Sequence, residues 1–386
     1  MLSSPHRIMF PAAGAAALLG VSGLFLGQDF ITHWSPLPGL YAWHAHEMLF
    51  GFVGAAFAGY SLTAMRSWPG SYIVTPTGSL LLFALWAMSR LAAIGAFGSE
   101  PMFIVPMGTA FLLFLAGRLA WAALREPAVA GGLQALFALL LFICQIAFLT
   151  GSAPSFSSVL LVALLVSVVG GRMIAAFTWN WTHQSPTAAQ KFRCARALGD
   201  ASAAALALTA VLFGLVSVAD GPLIGVLLVI CTGCEGGRLW LWHSTAVLQD
   251  GLLAMLHIAF AWLPAGLSLL AASLYFPDLL AAHDALHVLT VGAVSCAIYA
   301  VAARAVARRC GRLRPSAIDS IGYALLCLAA VLRASSADVP AALAWGACWA
   351  VFLWRHVQAL GRPLERPVFS GRASNRIDPG VADQLP

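Results

Sequence analysis

The chain has 386 residues, of which 61% are apolar and 9% charged, with a formal net charge of +6 and a mean hydropathy of +0.87. Soluble chains carry roughly 45–50% apolar and about 25% charged residues. This one lacks the polar residues to cover a water-exposed surface, which excludes a soluble enzyme and a nucleic-acid binder and points to a membrane protein.

Apolar stretches follow one another at 9–29, 46–66, 74–97, 102–124, 128–149, 155–178, 199–219, 222–242, 251–276, 281–307, 317–335 and 339–359. At about 20 residues per span, twelve spans use roughly 240 residues and leave only short connections, with no room for a soluble domain. Turn residues punctuate them, as in Ser35-Pro36-Leu37-Pro38-Gly39, Trp68-Pro69-Gly70 and Asp220-Gly221-Pro222. The first stretch is too long for the h-region of a signal peptide and reads as an uncleaved span. Small residues such as Gly51, Gly54 and Gly59 let helix backbones approach closely. The expected fold is all-α: a polytopic bundle of about twelve transmembrane helices over 1–360, followed by a polar cytoplasmic tail over 361–386.

The arginines set the orientation. With the N-terminus cytoplasmic, the even-numbered connections hold Arg66, Arg118, Arg125, Lys191, Arg193, Arg196, Arg238 and the cluster from Arg304 to Arg314. The odd-numbered ones hold Asp29, Glu100, Asp220, Asp278, Asp284 and Asp338 with almost no basic residue. Positive charge gathers on the cytoplasmic side, so both termini are expected there. The excess charge then describes topology and anionic lipid, with no nucleic-acid partner. The eight cysteines fall in spans or on the cytoplasmic side, where disulfides are not expected, and Cys231 and Cys234 read as buried small residues one turn apart.

Ionisable residues inside spans are costly and mark functional sites by default. Here they are His44, His46 and Glu47 at the mouth of the second span, Arg90, Arg172, Glu235, His257, His283, His287 and Arg333. Ten histidines stand against one lysine, and neutral imidazole is the ligand that brings no charge into lipid. His44, His46 and His287 share the periplasmic level, whereas His257 lies roughly 18 Å deeper than His287 at 1.5 Å per residue. That spacing predicts two sites, or one site and a structural histidine. His44 and His46 cannot share a helical face, although His44 and Glu47 can. His33, His183, His243 and His356, at span ends or in loops, read as interfacial residues.

The string Trp43-His44-Ala45-His46-Glu47-Met48-Leu49-Phe50-Gly51-Phe52 closely resembles the signature of the NnrS family of bacterial membrane proteins. Gly59 to Ala64, Pro5-His6-Arg7, Gly170-Gly171-Arg172-Met173-Ile174, Leu256-His257-Ile258-Ala259-Phe260 and Ala285 to Ala293 continue the likeness along nearly the whole chain. It departs after Arg304, where Ala305 to Arg312 contains no histidine. The resemblance implies a protein of twelve spans carrying haem b and copper in the response to nitric oxide. Its histidines fall on His44, His46, His257 and His287, and its arginines on Arg7, Arg172 and Arg304. Two functional classes stay open at this stage. One is a nitric oxide reductase-like or scavenging haem protein, with Glu47 delivering protons, arginines on haem propionates and an unidentified electron donor. The other is a transporter of copper, haem or an iron–nitrosyl species, which the lack of a clear repeat between the two halves disfavours.

Overall fold

The computed structural model describes residues 4–65, 74–125, 129–152, 155–182, 185–215, 221–309 and 314–359, and within them each apolar stretch forms helix. The expected tail, and with it Arg66, His183, Asp220 and Arg312, lies outside the described residues. All regular structure among the described residues is helical. In chain order the helices are α1 (His6–Leu26), the short α2 (Gln28–Trp34), α3 (Leu40–Ala64), α4 (Pro76–Ala93), α5 (Pro101–Arg125), α6 (Val129–Leu149) and α7 (Ser155–Trp181). There follow α8 (Pro186–Leu215), α9 (Gly221–Leu241), α10 (Gly251–Tyr275), α11 (Ala282–Ala307), α12 (Ala317–Ala334) and α13 (Asp338–Ala359). Among the described residues, ten of these are long and apolar enough to cross a membrane. Helices α4 and α13, of 18 and 22 residues, occupy the remaining two apolar stretches.

Local chemistry explains the helix starts. Thr75 accepts a hydrogen bond from the Gly78 N–H, with Pro76 at the first helical position of α4. Asp250 accepts from Leu252 and Leu253 at the head of α10, and Ser316 with Asp319 forms a capping box on α12. The turn after α4 needs glycine at Gly95, which has φ +85° and packs directly on the Trp34 carbonyl.

Sequential helices pack as neighbours: α5 with α6, α8 with α9, α9 with α10, and α12 with α13. The first helix closes the bundle against the last. The Trp345 indole N–H donates to the Ala17 carbonyl at 2.9 Å, and Phe10 meets the His356 ring at 6.4 Å. The second span begins earlier than its apolar stretch suggested: α3 starts at Leu40, so His44 and His46 both lie within helix. Helix α10 runs unbroken through Pro264.

Three helices contain a π-helical segment: Glu47–Val53 in α3, Val166–Gly170 in α7 and Val288–Ser295 in α11. A π segment widens the turn and shifts the carbonyl ladder, and such segments concentrate at functional sites. The first begins directly after His46 and the third directly after His287.

Candidate functional site

At one end of the bundle two imidazoles are held in the same way. His44 Nδ1 lies 2.9 Å from the Gly20 carbonyl of α1, and His287 Nδ1 lies 2.6 Å from the His283 carbonyl one turn back. A carbonyl only accepts, so each ring donates from Nδ1 and, when neutral, keeps its lone pair on Nε2. Metal-ligating histidines are oriented in this manner, one nitrogen tied to oxygen and the other presented to the metal. The two rings are half-buried, and they lie within electrostatic reach of each other and of Arg333. Arg333 itself is anchored by Asp284 at 2.5 Å and Asp338 at 3.3 Å, and Ser336 donates to the second Asp284 oxygen.

His46 turns the other way, into the bundle, where it is fully buried. Its Nδ1 donates to Glu47 Oε1 at 3.0 Å, and its Nε2 accepts from the Gln145 amide at 3.2 Å. Glu47 also takes the Arg90 guanidinium at 2.8 Å. Arg90 and Gln145 both donate to the Ser89 hydroxyl, which in turn donates to the Gly108 carbonyl. This network joins α3, α4, α5 and α6 and uses both nitrogens of His46. The structure thus places His44 and His287 at one end of the bundle within electrostatic reach of each other and turns His46 and Glu47 into a hydrogen-bonded network with α4, α5 and α6.

His257 lies apart from both. Its Nε2 is 2.8 Å from Thr178 Oγ1 and its Nδ1 is 2.7 Å from Ser244 Oγ. Both hydroxyls also approach backbone carbonyls, Ile174 and Leu239. A hydroxyl has one proton, so a neutral His257 ring requires one of the two to turn its proton from the carbonyl to the ring. As it stands the ring is clamped between a helix-borne hydroxyl, Thr178, and one from the turn after α9, Ser244.

Beside it is a group that sequence reading left unassembled. Arg238 donates to Glu235 Oε2 at 2.7 Å and to the Ser167 carbonyl at 3.1 Å, while Ser167 Oγ donates to Glu235 Oε1 at 2.5 Å. Its guanidinium lies 4.9 Å from the centre of the Trp242 ring, and Trp242 meets His257 edge-on. The signal was available: a glutamate and an arginine three apart share a helical face.

Of the three arginines expected at a cofactor, Arg172 is exposed. Arg7 is buried, and Arg304 stacks over the Phe177 ring at 4.1 Å. A small, open apolar cleft of about 90 Å³ lies near Arg7 and Arg304, walled by Phe10, Val53, Val166, Met173, Val294 and Val301 among others. All three π segments contribute to this wall. Arg7 and Arg304 stand three residues from Phe10 and Val301, hence on the same helix faces.

A comparison with protein families matches residues 1–363 to the family described as NnrS protein. No curated protein matches the chain.

Proposed function

Because the chain belongs to the NnrS family, we propose that it is a twelve-span bacterial inner-membrane protein that binds haem and copper and removes nitric oxide, by scavenging or by reduction. The observation that carries this reading is the His44–His287 pair, with both Nδ1 atoms tied to carbonyls. No set of three or more His, Cys, Asp and Glu stands ready for a metal among the described residues. The pair therefore suits an ion whose other ligands come from a macrocycle, and the residues present fit haem. His44 and His287 are the imidazole donors. Arg7 and Arg304, beside the apolar cleft, stand at the other end of the bundle, so they do not serve a group held by this pair and suit instead a second amphiphile with anionic groups. When bound, haem supplies an iron that takes nitric oxide. Glu47, within electrostatic reach of His44, is the carboxylate to hold or pass a proton there. His46 orients Glu47, and His257 joins a ligand set only if Thr178 or Ser244 releases it.

The test is the optical spectrum of purified protein. A Soret band that moves when nitric oxide is added to the reduced protein is expected, with His44→Ala and His287→Ala lowering the bound haem or copper of folded protein. Colourless, metal-free protein overturns the proposal and leaves the transporter reading.

A further inference from the structure

The last three turns of α5 carry a cluster that neither the histidine pair nor the bundle core uses. Phe114, Gly117, Arg118 and Trp121 line a groove of about 340 Å³ on the outside of the bundle. Their spacing of three and four residues puts them on one face of the helix, and Arg125, four residues further, continues that face. Gly117 keeps the groove open, since a Cβ there would meet nothing within 4 Å. The Arg118 guanidinium lies 5.3 Å from the centre of the Trp121 ring, and that of Arg125 lies 5.0 Å from it. Neither guanidinium has a carboxylate partner among the described residues. The helix C-terminus accounts for a cation in the last turn, which is Arg125. It does not account for Arg118 seven residues earlier, because the field of the helix dipole falls off within one turn.

From this geometry we infer that the end of α5 holds one anionic phospholipid, with its phosphate between Arg118 and Arg125 and an acyl chain in the groove over Gly117 and Phe114. Two cations that share one ring repel each other, and a phosphate between them turns that repulsion into two attractions. Stacking on the indole holds each guanidinium with its N–H edge free, the arrangement that grips a phosphate by charge-assisted hydrogen bonds. The order of the groups along the helix matches a lipid. Tryptophan belongs at the level of the headgroups, Arg125 is the last residue of α5, and Phe114 lies roughly 16 Å deeper at 1.5 Å per residue. A zwitterionic headgroup would bring a cation of its own against the two arginines. A soluble phosphate would leave the apolar groove unfilled. The site stands on α5 alone and is independent of the histidine pair.

The test uses the full chain, delipidated in detergent, with phosphatidylglycerol or phosphatidylcholine added and native mass spectrometry to follow the lipid retained. One phosphatidylglycerol should be held about tenfold more tightly than phosphatidylcholine. The Arg118→Gln/Arg125→Gln double variant should lose that preference, whereas Arg193→Gln, exposed on α8, should keep it. Gly117→Phe fills the groove with both charges intact, and it too should weaken retention. Equal retention of the two lipids by the parent, or an unchanged preference in the double variant, overturns the site and leaves the proposed function standing. Where the double variant loses its helical circular dichroism, Gly117→Phe decides, and unchanged retention there refutes a seated acyl chain. Displacement of the lipid by inorganic phosphate alone would mark a phosphate site that makes no use of the groove, and would also overturn the proposal.

Discussion

Two positions on a helix separate the proposed ligand His44 from a histidine bonded at both nitrogens. His44 ties only Nδ1, to the Gly20 carbonyl, while His46, two residues on and facing the interior, spends both nitrogens on Glu47 and Gln145. Sequence reading could say that the two rings diverge if helical. It could not say which one would meet His287, because that depends on α1 placing the Gly20 carbonyl beside His44. The two rings should separate under substitution. His46→Ala is expected to lower thermal stability and leave bound haem or copper at the parent level per folded molecule. Glu47→Gln should cost about 3 kcal/mol, because Arg90, partly buried, is then left without its anion. Chemical unfolding in detergent measures both. His257→Ala follows the same logic. With Thr178 and Ser244 on either side of its ring, the loss should appear in stability and not in the spectrum, and a missing spectral component would instead assign His257 to a cofactor.

The π segments give the elements their functional shape, and their shifted carbonyls are taken up by side chains. Gly51 accepts from the Trp86 indole, Ser167 from Arg238, Thr290 from Ser295 and Val291 from Cys296. Backbone acceptors inside lipid must be satisfied internally, so each partner supports a turn that the α-helix ladder no longer serves. Apolar runs gave the positions of the helices, since length and hydropathy govern insertion. They could not give the π turns, because a run of Val, Leu and Gly carries no polar rhythm to report a wider turn. Glu235 and Arg238 were legible by spacing but read as a costly residue and a topology marker, because Ser167, their third member, comes from another helix. Gly171 shows how closely the elements fit: a Cβ there would collide with the Arg238 guanidinium. Gly171→Ala should therefore displace Arg238 from Glu235 and Ser167 and destabilise the protein by about 3 kcal/mol, read as a lower unfolding midpoint with an unchanged helical spectrum.

At the scale of the molecule, the packing of α1 against α13 bears on topology. Phe10 faces His356, Gly14 faces Phe352, and Ala17 bonds Trp345. Rising numbers on one helix meet falling numbers on the other, so the two are antiparallel and the described chain begins and ends at one end of the bundle. An even number of crossings follows if every long helix spans, in accord with twelve apolar stretches and with α4 and α13 counted beside the ten stronger helices. Packing alone does not say which side that end faces; charge does. Arg7, Arg304 and Arg355 belong to that end, and the acidic Asp284 and Asp338 to the other, beside His44 and His287. Translocating arginine is unfavourable and acidic residues weigh little, so the arginine-rich end is expected to face the cytoplasm. Reporter fusions after Arg125, Lys191 and Arg314 should therefore read as cytoplasmic, and fusions after Glu100 or Pro277 as periplasmic. A reversed pattern would put the His44–His287 pair on the cytoplasmic side. A mixed pattern would mean that α4 or α13 fails to cross, and that the two chain ends share a side for another reason.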